Sequence, residues 1–170
     1  MPGGRTRVFA LLGQPVSHSL SPAMHNAAFR VLGLDAVYVP LPCSAEQVPG
    51  LMSALAAAGG GGNVTVPHKQ TAAGALGRPS PRVTQLGVCN TFWWEDGQVC
   101  GDSTDVDGVQ AAVRALGVDP EAWLVVGTGG AARAVVEAAR LAGARIAVRS
   151  RVPARAAVFL GWAASRGVAA

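Results

Sequence analysis

Residues 123–134 read Trp-Leu-Val-Val-Gly-Thr-Gly-Gly-Ala-Ala-Arg-Ala, an apolar run that passes through a glycine-rich turn into small residues with a helical pattern. A buried strand, a tight glycine turn and a helix N-terminus are the parts of a dinucleotide-binding βα unit. In such a unit Gly127 makes the turn, Gly129 lets the backbone approach a pyrophosphate, and the helix N-terminus supplies N–H groups. The pattern predicts a dinucleotide site, and the alternative is a glycine-rich turn that binds no ligand.

The residues after the next expected strand indicate which dinucleotide would bind. An NAD site places an Asp or Glu about 20 residues further along, where it holds the ribose 2′-hydroxyl. Here this region contains Arg149, Ser150, Arg151 and Arg155, and no acidic residue lies among them. Arginines suit a 2′-phosphate, so the sequence favours NADP. The alternative is that these arginines only cover the end of a strand at the surface.

Strand and helix patterns alternate along the whole chain. Helices are predicted over residues 21–32, 45–58, 67–76, 105–116, 130–142 and 153–166, and strands over residues 7–13, 36–41, 63–66, 88–95, 98–101, 123–126 and 145–148. Asp96-Gly97 predicts the turn of a hairpin. This alternation predicts an α/β fold with an α/β domain over residues 1–104 and an incomplete Rossmann-like dinucleotide-binding domain over residues 105–170.

Lys69 is unusual because the other 13 basic residues of the chain are all arginine. A group that must release and regain a proton near neutrality can be a lysine but not an arginine, whose guanidinium stays charged. Asn63 and Thr65 are expected on one face of a strand that leads through Pro67 to Lys69. Carbonyl–alcohol redox chemistry needs a group that takes the hydroxyl proton. Lys69 is the candidate, and its alternative is a solvated surface position.

Three further candidates lie where helices are expected to begin. Ser19 and Ser21 flank a strand–helix junction, where hydroxyls and backbone N–H groups together suit a carboxylate. Asp105 would orient a lysine nearby and raise its affinity for a proton. Ser21 and Asp105 each have plain N-capping as the alternative role.

Composition excludes several classes of protein. The chain has 170 residues, a net charge of +4 and 14% charged residues, and its basic residues do not form the stripe typical of a nucleic-acid surface. No apolar run approaches the ~18 residues of a membrane span. Three scattered cysteines predict reduced thiols and a cytoplasmic protein. His18, His25 and His68 lack the spacing of a metal site, so no metal is expected, and His18 and His25 are interpreted as packing or surface residues.

Five motifs together resemble the shikimate dehydrogenase family. They are Ser-Leu-Ser-Pro-Ala-Met-His-Asn (19–26), Asn-Val-Thr-Val-Pro-His-Lys (63–69), Cys-Asn-Thr (89–91), Ser-Thr-Asp (103–105) and Gly-Thr-Gly-Gly-Ala (127–131). The resemblance implies that the first domain binds shikimate and that the second binds NADP. The implied reaction is the reversible, NADP-dependent oxidation of shikimate to 3-dehydroshikimate in aromatic amino-acid biosynthesis.

The resemblance also implies roles for individual residues. Lys69 and Asp105 would be the catalytic pair, and Ser19 and Ser21 would hold the substrate carboxylate. Thr65 and Asn90 would bind ring hydroxyls, as would Asp105. The cofactor would be bound by Gly127, Gly129, Gly130, Ala131, Ser150, Arg151 and Arg155.

Two departures from the family leave alternatives open. The family commonly has Asn-Arg-Thr where this chain has Ser150-Arg151-Val152, and family members continue well beyond the length of this chain. The second hypothesis is therefore a truncated, non-catalytic fragment that binds shikimate-like carboxylates or a protein partner. The sequence also leaves open quinate or an amino-shikimate as the substrate, and a homodimer as the oligomeric state.

Overall fold

A computed structural model describes residues 3–169, which form two compact units. The first unit ends at Ser103 and the second begins at Thr104. Both units combine strands and helices, so the prediction of an α/β fold is confirmed. Within residues 3–169, no helix is long and apolar enough to cross a bilayer.

The first unit contains a six-stranded sheet and four helices. Its strands are β1 (Arg7–Gly13), β2 (Ala36–Pro42), β3 (Gly61–Val64), β4 (Arg78–Pro79), β5 (Thr91–Glu95) and β6 (Gln98–Asp102). Its helices are α1 (Ser21–Val31), α2 (Val48–Ala57), α3 (Lys69–Gly74) and α4 (Pro81–Leu86). The strand order is β2-β1-β3-β5-β6-β4.

Strand directions follow from the connections. β1 runs parallel to β2 and β3. Helix α1 connects β1 to β2, and α2 connects β2 to β3. β5 runs antiparallel to β3 and β6. The β5–β6 hairpin turns at Asp96 and Gly97, both with positive φ, as the Asp-Gly signal predicts. The structure adds β4 within the proline-rich segment at residues 78–81 and α4 from Pro81 onward, neither of which sequence patterns predicted.

The main core of the first unit lies between the sheet and α2. Val48, Met52 and Ala56 of α2 are four residues apart and fully buried, as expected for one face of a helix. They join Leu12 and Phe92 from the sheet in one apolar cluster. This packing fixes the positions of β1 and β3. The candidate residues of the first unit begin at the carboxyl ends of these two strands.

Gly61 and Gly62, the last two residues of the glycine run at 59–62, belong to β3. A Cβ on Gly62 would lie 2.0 Å from the carbonyl oxygen of Ala10, so only glycine allows β1 and β3 to pair here. The strand begins at Gly61 and ends at Val64. The predicted strand over 63–66 is therefore shifted by two residues, and Thr65 lies in the turn that follows.

Asn26 protects the outer edge of the sheet. β2 is an edge strand, and the Asn26 side chain binds both backbone groups of Tyr38: Nδ2 donates to the carbonyl oxygen at 2.8 Å and Oδ1 accepts from the N–H at 2.9 Å. The side chain thus replaces a neighbouring strand at one position.

Replacing Asn26 by Ala should destabilise the first unit, because it leaves the buried Tyr38 backbone groups without partners. We expect the free energy of unfolding to fall by about 2–3 kcal/mol in urea titrations. Arg30→Ala, at an exposed site on the same helix, is the control and should change it by less than about 0.5 kcal/mol. An equal effect of both variants would contradict the role given to Asn26.

The second unit begins with α5 (Asp105–Ala115), followed by β7 (Ala122–Val126), α6 (Gly130–Leu141), β8 (Arg145–Arg149) and α7 (Pro153–Ala164). β7 and β8 form a parallel two-stranded sheet, as expected for a βαβ unit. Val136 of α6 and Phe159 of α7 pack with Ile146 in one core. Beyond α7, the carbonyl of Ala169 accepts a hydrogen bond of 2.9 Å from the Ile146 N–H, so the chain returns to the free edge of β8.

Candidate functional site

In the first unit, Ser19 and Thr65 line one cleft of about 480 Å3. The loop after β1 forms one side of the cleft, and the turn after β3 forms the other. These loops meet because β1 and β3 are neighbouring parallel strands, whose carboxyl ends lie at the same edge of the sheet. Two of the four predicted substrate-binding residues therefore share a cleft.

Ser19 and Ser21 are hydrogen-bonded to each other at the start of α1. The Ser19 hydroxyl donates to Ser21 Oγ at 3.1 Å and accepts from the Ser21 N–H at 3.2 Å. Ser21 is the first helical residue and Leu20 is the N-cap, so the capping role considered for Ser21 is wrong. Both hydroxyls lie at the positive end of an 11-residue helix, where an anion is favoured.

Lys69 begins α3, and contacts on both sides fix its backbone. The Cys89 N–H donates to the Lys69 carbonyl at 2.9 Å. The preceding residue, His68, is 5% exposed, and its Nε2 lies 2.8 Å from the Cys43 carbonyl oxygen. A carbonyl only accepts, so His68 Nε2 carries a proton. His68 is therefore a packing residue, and it anchors the turn that carries Lys69.

Asn90 belongs to a polar network that sequence patterns revealed only in part. Its Oδ1 accepts from the Thr91 hydroxyl at 3.0 Å, and Asn63 Nδ2 donates to the Thr91 hydroxyl at 3.0 Å. Asn63 Oδ1 in turn accepts from the Tyr38 hydroxyl at 2.8 Å. The polar residue at position 63 of an otherwise apolar strand indicated a polar contact, but no local pattern identified its partner on β2.

Tyr38 is held firmly as a hydrogen-bond donor. It is 3% exposed, and burial raises its pKa to about 12, so its hydroxyl stays protonated at neutral pH. The imidazole of His25 stacks on its ring at a centroid distance of 4.4 Å and an angle of 14°. His25 is thus a packing residue, consistent with the interpretation from sequence.

In the second unit, the glycine turn and the arginines meet around one cleft of about 910 Å3. Among the predicted cofactor-binding residues, those that line it are Gly127, Gly129, Ser150, Arg151 and Arg155. Gly130 and Ala131 are the first two residues of α6. Arg149 also lines the cleft, and no acidic side chain among residues 3–169 does, so the charges around the cleft are positive.

The geometry of the glycine turn fits a phosphate group. Gly127 has a φ of +107°, and the space in which a Cβ of Gly127 or Gly129 would lie is open to at least 4 Å. The N-cap of α6 is Gly129, and no side chain caps the helix. The first N–H groups of α6 thus face an open, positively charged cleft, where the pyrophosphate of a dinucleotide fits.

Asp105 is the first residue of α5 in the second unit, and Thr104 is its N-cap. The capping role considered for Asp105 is therefore wrong, and its carboxylate instead lies in the first turn, where a negative charge favours the helix. Within residues 3–169, no three His, Cys, Asp or Glu side chains are grouped so that they could hold a metal ion.

Comparisons with known proteins agree with both units. Residues 11–92 match the family model of the shikimate dehydrogenase substrate binding domain. Over 155 residues the chain is 46% identical to the NADP(+)-dependent shikimate dehydrogenase of Citrifermentans bemidjiense, covering 88% of this chain and 53% of that protein. The chain belongs to the shikimate dehydrogenase family.

Solved structures of this family extend the similarity to the fold. A shikimate dehydrogenase crystallised with NADP+ superposes with a TM-score of 0.87 at 35% identity, covering 98% of this chain and 58% of that one. The Thermus thermophilus shikimate dehydrogenase, crystallised with NADP(H) and shikimate, gives a TM-score of 0.84 at 38% identity, covering 95% of this chain and 61% of that one. The chain thus spans about half to three-fifths of the length of these relatives.

Proposed function

We propose that this protein catalyses the reversible oxidation of shikimate to 3-dehydroshikimate with NADP. The observation that carries the proposal is the placement of Lys69, the only lysine of the chain, directly after the turn whose Thr65 lines a cleft with Ser19. The relatives named above support it, because they are NADP-dependent shikimate dehydrogenases and one was crystallised with shikimate.

The first unit supplies the groups that would hold the substrate. Ser19 and Ser21 would bind the carboxylate with their hydroxyls and with the N-terminus of α1. Thr65 and Asn90 would bind ring hydroxyls, and Asp105 from the second unit would bind another. All of these groups are polar and uncharged except Asp105, so the serine end of the site is the end suited to an anion.

The reaction breaks a C–H and an O–H bond of the substrate and forms a carbonyl. Lys69, in its neutral form, would take the hydroxyl proton and become an ammonium, and in the reverse direction it would return that proton to the carbonyl oxygen. Asp105 would orient the lysine and stabilise the ammonium. When bound, the nicotinamide of NADP+ supplies the acceptor for the hydride.

The second unit supplies the groups that would hold the cofactor. Gly127, Gly129, Gly130 and Ala131 would lie along the pyrophosphate at the N-terminus of α6. Ser150, Arg151 and Arg155 would surround the ribose 2′-phosphate. Among the described residues, none that lines this cleft is acidic, which supports NADP over NAD, since a carboxylate here would repel the phosphate.

Replacing Arg151 and Arg155 by Ala together should weaken binding of NADP+ about 10- to 100-fold and leave the weaker binding of NAD+ within about 2-fold. The reason is that in the proposed site the two guanidinium groups would contact only the 2′-phosphate. Isothermal titration calorimetry with each nucleotide measures both effects. The charge-matched control replaces Arg114 and Arg145 by Ala together, because both arginines are exposed and neither lines this cleft. An equal loss for both nucleotides would contradict this role.

The proposed activity is tested by incubating the purified chain with shikimate and NADP+ and following NADPH absorbance. Shikimate-dependent reduction of NADP+ supports the enzyme. Shikimate binding without turnover would instead favour the non-catalytic hypothesis, and loss of both would overturn the proposal.

We also propose a homodimer and a cytoplasmic location. The outer side of α1 exposes Met24 and Val31, with Leu20 exposed just before the helix, and such an apolar stripe supports contact with a second copy. Sedimentation velocity measures the oligomeric state.

Free thiols at all three cysteines support a reducing compartment.

A further inference from the structure

We propose that the cleft between α5, α6 and the start of β7 binds a free α-amino acid with a large apolar side chain. The cleft has a volume of about 470 Å3 and lies wholly within the second unit. Its lining residues are Gln110, Val113, Arg114, Gly117, Val118, Asp119, Trp123, Ala138 and Ala142. None of them lines the cleft that the glycine turn and the arginines surround. The site is therefore separate from the cofactor site, and the inference does not depend on the proposed function.

One wall of the cleft is formed by α5 and the turn that follows it. Gln110, Val113 and Arg114 are three and four positions apart, so they lie on one face of the helix. The helix ends at Gly117, which has a φ of +66° and whose N–H donates to the Arg114 carbonyl at 3.0 Å. Two residues later Asp119 lines the same cleft. The turn thus brings an acidic side chain to the cleft that Arg114 lines.

The floor of the cleft is apolar. The Trp123 indole N–H donates to the Pro120 carbonyl at 3.2 Å, so its polar edge is engaged and the rest of the ring offers carbon atoms to a ligand. Ala138 and Ala142 of α6 are one helical turn apart, and their small side chains leave space in the cleft. Val118 is 52% exposed. An apolar ligand group would therefore remove apolar surface from water here, which favours binding.

Arg114 and Asp119 give the cleft two opposite charges. Both side chains are exposed, and neither is in an ion pair with another of the described residues. The Gln110 side-chain amide also lines the cleft and can both donate and accept hydrogen bonds. An α-amino acid carries a carboxylate and an ammonium on one carbon atom. It can therefore place its carboxylate at Arg114 and its ammonium at Asp119 while its side chain contacts the apolar floor.

Charge and apolar surface together select this class of ligand. A simple anion would be attracted by Arg114 and repelled by Asp119, and a simple cation would meet the opposite pair of effects. A zwitterion avoids both repulsions. Exposed ion pairs contribute little by themselves, so the ligand also needs a large apolar side chain. For a ligand of the size of L-phenylalanine we expect a dissociation constant on the order of 1 mM.

Nuclear magnetic resonance with L-phenylalanine as the probe tests the site on the complete 170-residue protein. The chain has four tryptophans, and the spectrum of Trp123→Phe identifies the indole N–H signal of Trp123. This signal should shift during the titration, and the signals of Trp93, Trp94 and Trp162, which do not line the cleft, should not. Absence of a Trp123 shift at concentrations well above about 1 mM would overturn the proposal.

Three fragments of the probe separate the contributions to binding. Phenylpropionate lacks the ammonium and phenethylamine lacks the carboxylate, so each should bind about 3- to 5-fold more weakly than L-phenylalanine. Glycine keeps both charges and lacks the ring, so it should produce no measurable shift. Binding of glycine as tight as that of L-phenylalanine would contradict the role given to the apolar floor and overturn the proposal.

Two substitutions should have crossed effects on the fragments. Arg114→Gln should weaken L-phenylalanine and phenylpropionate about 3- to 5-fold and leave phenethylamine within about 1.5-fold of wild type. Asp119→Asn should weaken L-phenylalanine and phenethylamine by the same factor and leave phenylpropionate unchanged. Simple loosening of the structure would weaken all three ligands alike. Equal effects of both substitutions on both fragments would therefore overturn the proposal.

The chain offers matched controls for both charges. Arg145→Gln and Glu121→Gln alter exposed residues that do not line the cleft, so binding of all ligands should stay within about 1.5-fold of wild type. Ala142→Leu, at an exposed position, keeps both charges and fills part of the cleft. It should weaken the three ring-containing ligands at least about 5-fold. Unchanged binding of L-phenylalanine by this variant would show that the ligand lies elsewhere. Unchanged indole signals of the other tryptophans verify that each variant is folded.

Discussion

Lys69→Ala is expected to lower shikimate-dependent reduction of NADP+ about 100- to 10,000-fold, the range found when a general acid–base group is removed. Shikimate binding should change by less than about 10-fold, because Ser19, Ser21, Thr65 and Asn90 would still hold the substrate. Initial rates of NADPH formation and calorimetric titration of shikimate measure the two quantities. The loss should therefore appear in kcat.

The matched control is Gln70→Ala, which alters the next residue of the same helix at an exposed position. Its rate should stay within about 2-fold of wild type. A Lys69→Ala variant that kept more than a tenth of the activity would contradict the assignment of Lys69 as the acid–base group. A loss of shikimate binding as large as the loss of rate would indicate a binding role instead.

Gly62→Ala is expected to have the largest effect on stability. The new methyl group would lie 2.0 Å from the Ala10 carbonyl oxygen and 2.9 Å from the Ala10 nitrogen, in the middle of the β1–β3 pairing. Both atoms belong to a paired central strand, so neither can move without breaking the sheet. We expect the free energy of unfolding to fall by at least about 4 kcal/mol, a large part of the total stability of a domain.

Gly50→Ala is the control for this change, because a Cβ at Gly50 of α2 would meet nothing within 4 Å. There the added methyl favours the helix and should leave stability unchanged or raise it by up to about 1 kcal/mol. Circular dichroism in a urea titration compares the two variants with wild type. A Gly62→Ala protein as stable as wild type would show that β1 and β3 do not approach as closely as described.

The turn after β3 illustrates how fold and site depend on each other. Gly62 allows β3 to lie against β1, and the pairing ends at Val64, so that Thr65 enters the turn. The Thr65 N–H still donates to the Leu12 carbonyl at 2.8 Å. This last bond holds Thr65 beside the loop that carries Ser19. A change in the glycine run would therefore displace both the strand and the cleft.

The sequence by itself determined the α/β class, most element positions, the hairpin at Asp96-Gly97 and the glycine turn at residues 127–130, because each depends on side chains a few positions apart. Periodic burial, positive φ at glycine and an apolar strand before a helix are local properties. The family followed from five local motifs in order. The roles of Lys69 and Asp105 remain predictions from that resemblance.

Only the tertiary structure decided where β3 begins, that the N-caps of α1 and α5 are Leu20 and Thr104, and which groups surround Asn90. A pattern of small residues at 59–62 indicates a turn. Gly61 and Gly62 are nevertheless strand residues, because they pair with β1, which lies some 50 residues earlier in the chain. The Tyr38–Asn63 hydrogen bond likewise joins residues 25 positions apart. Contacts of this kind arise when strands pair, and no local pattern records which strands will be neighbours.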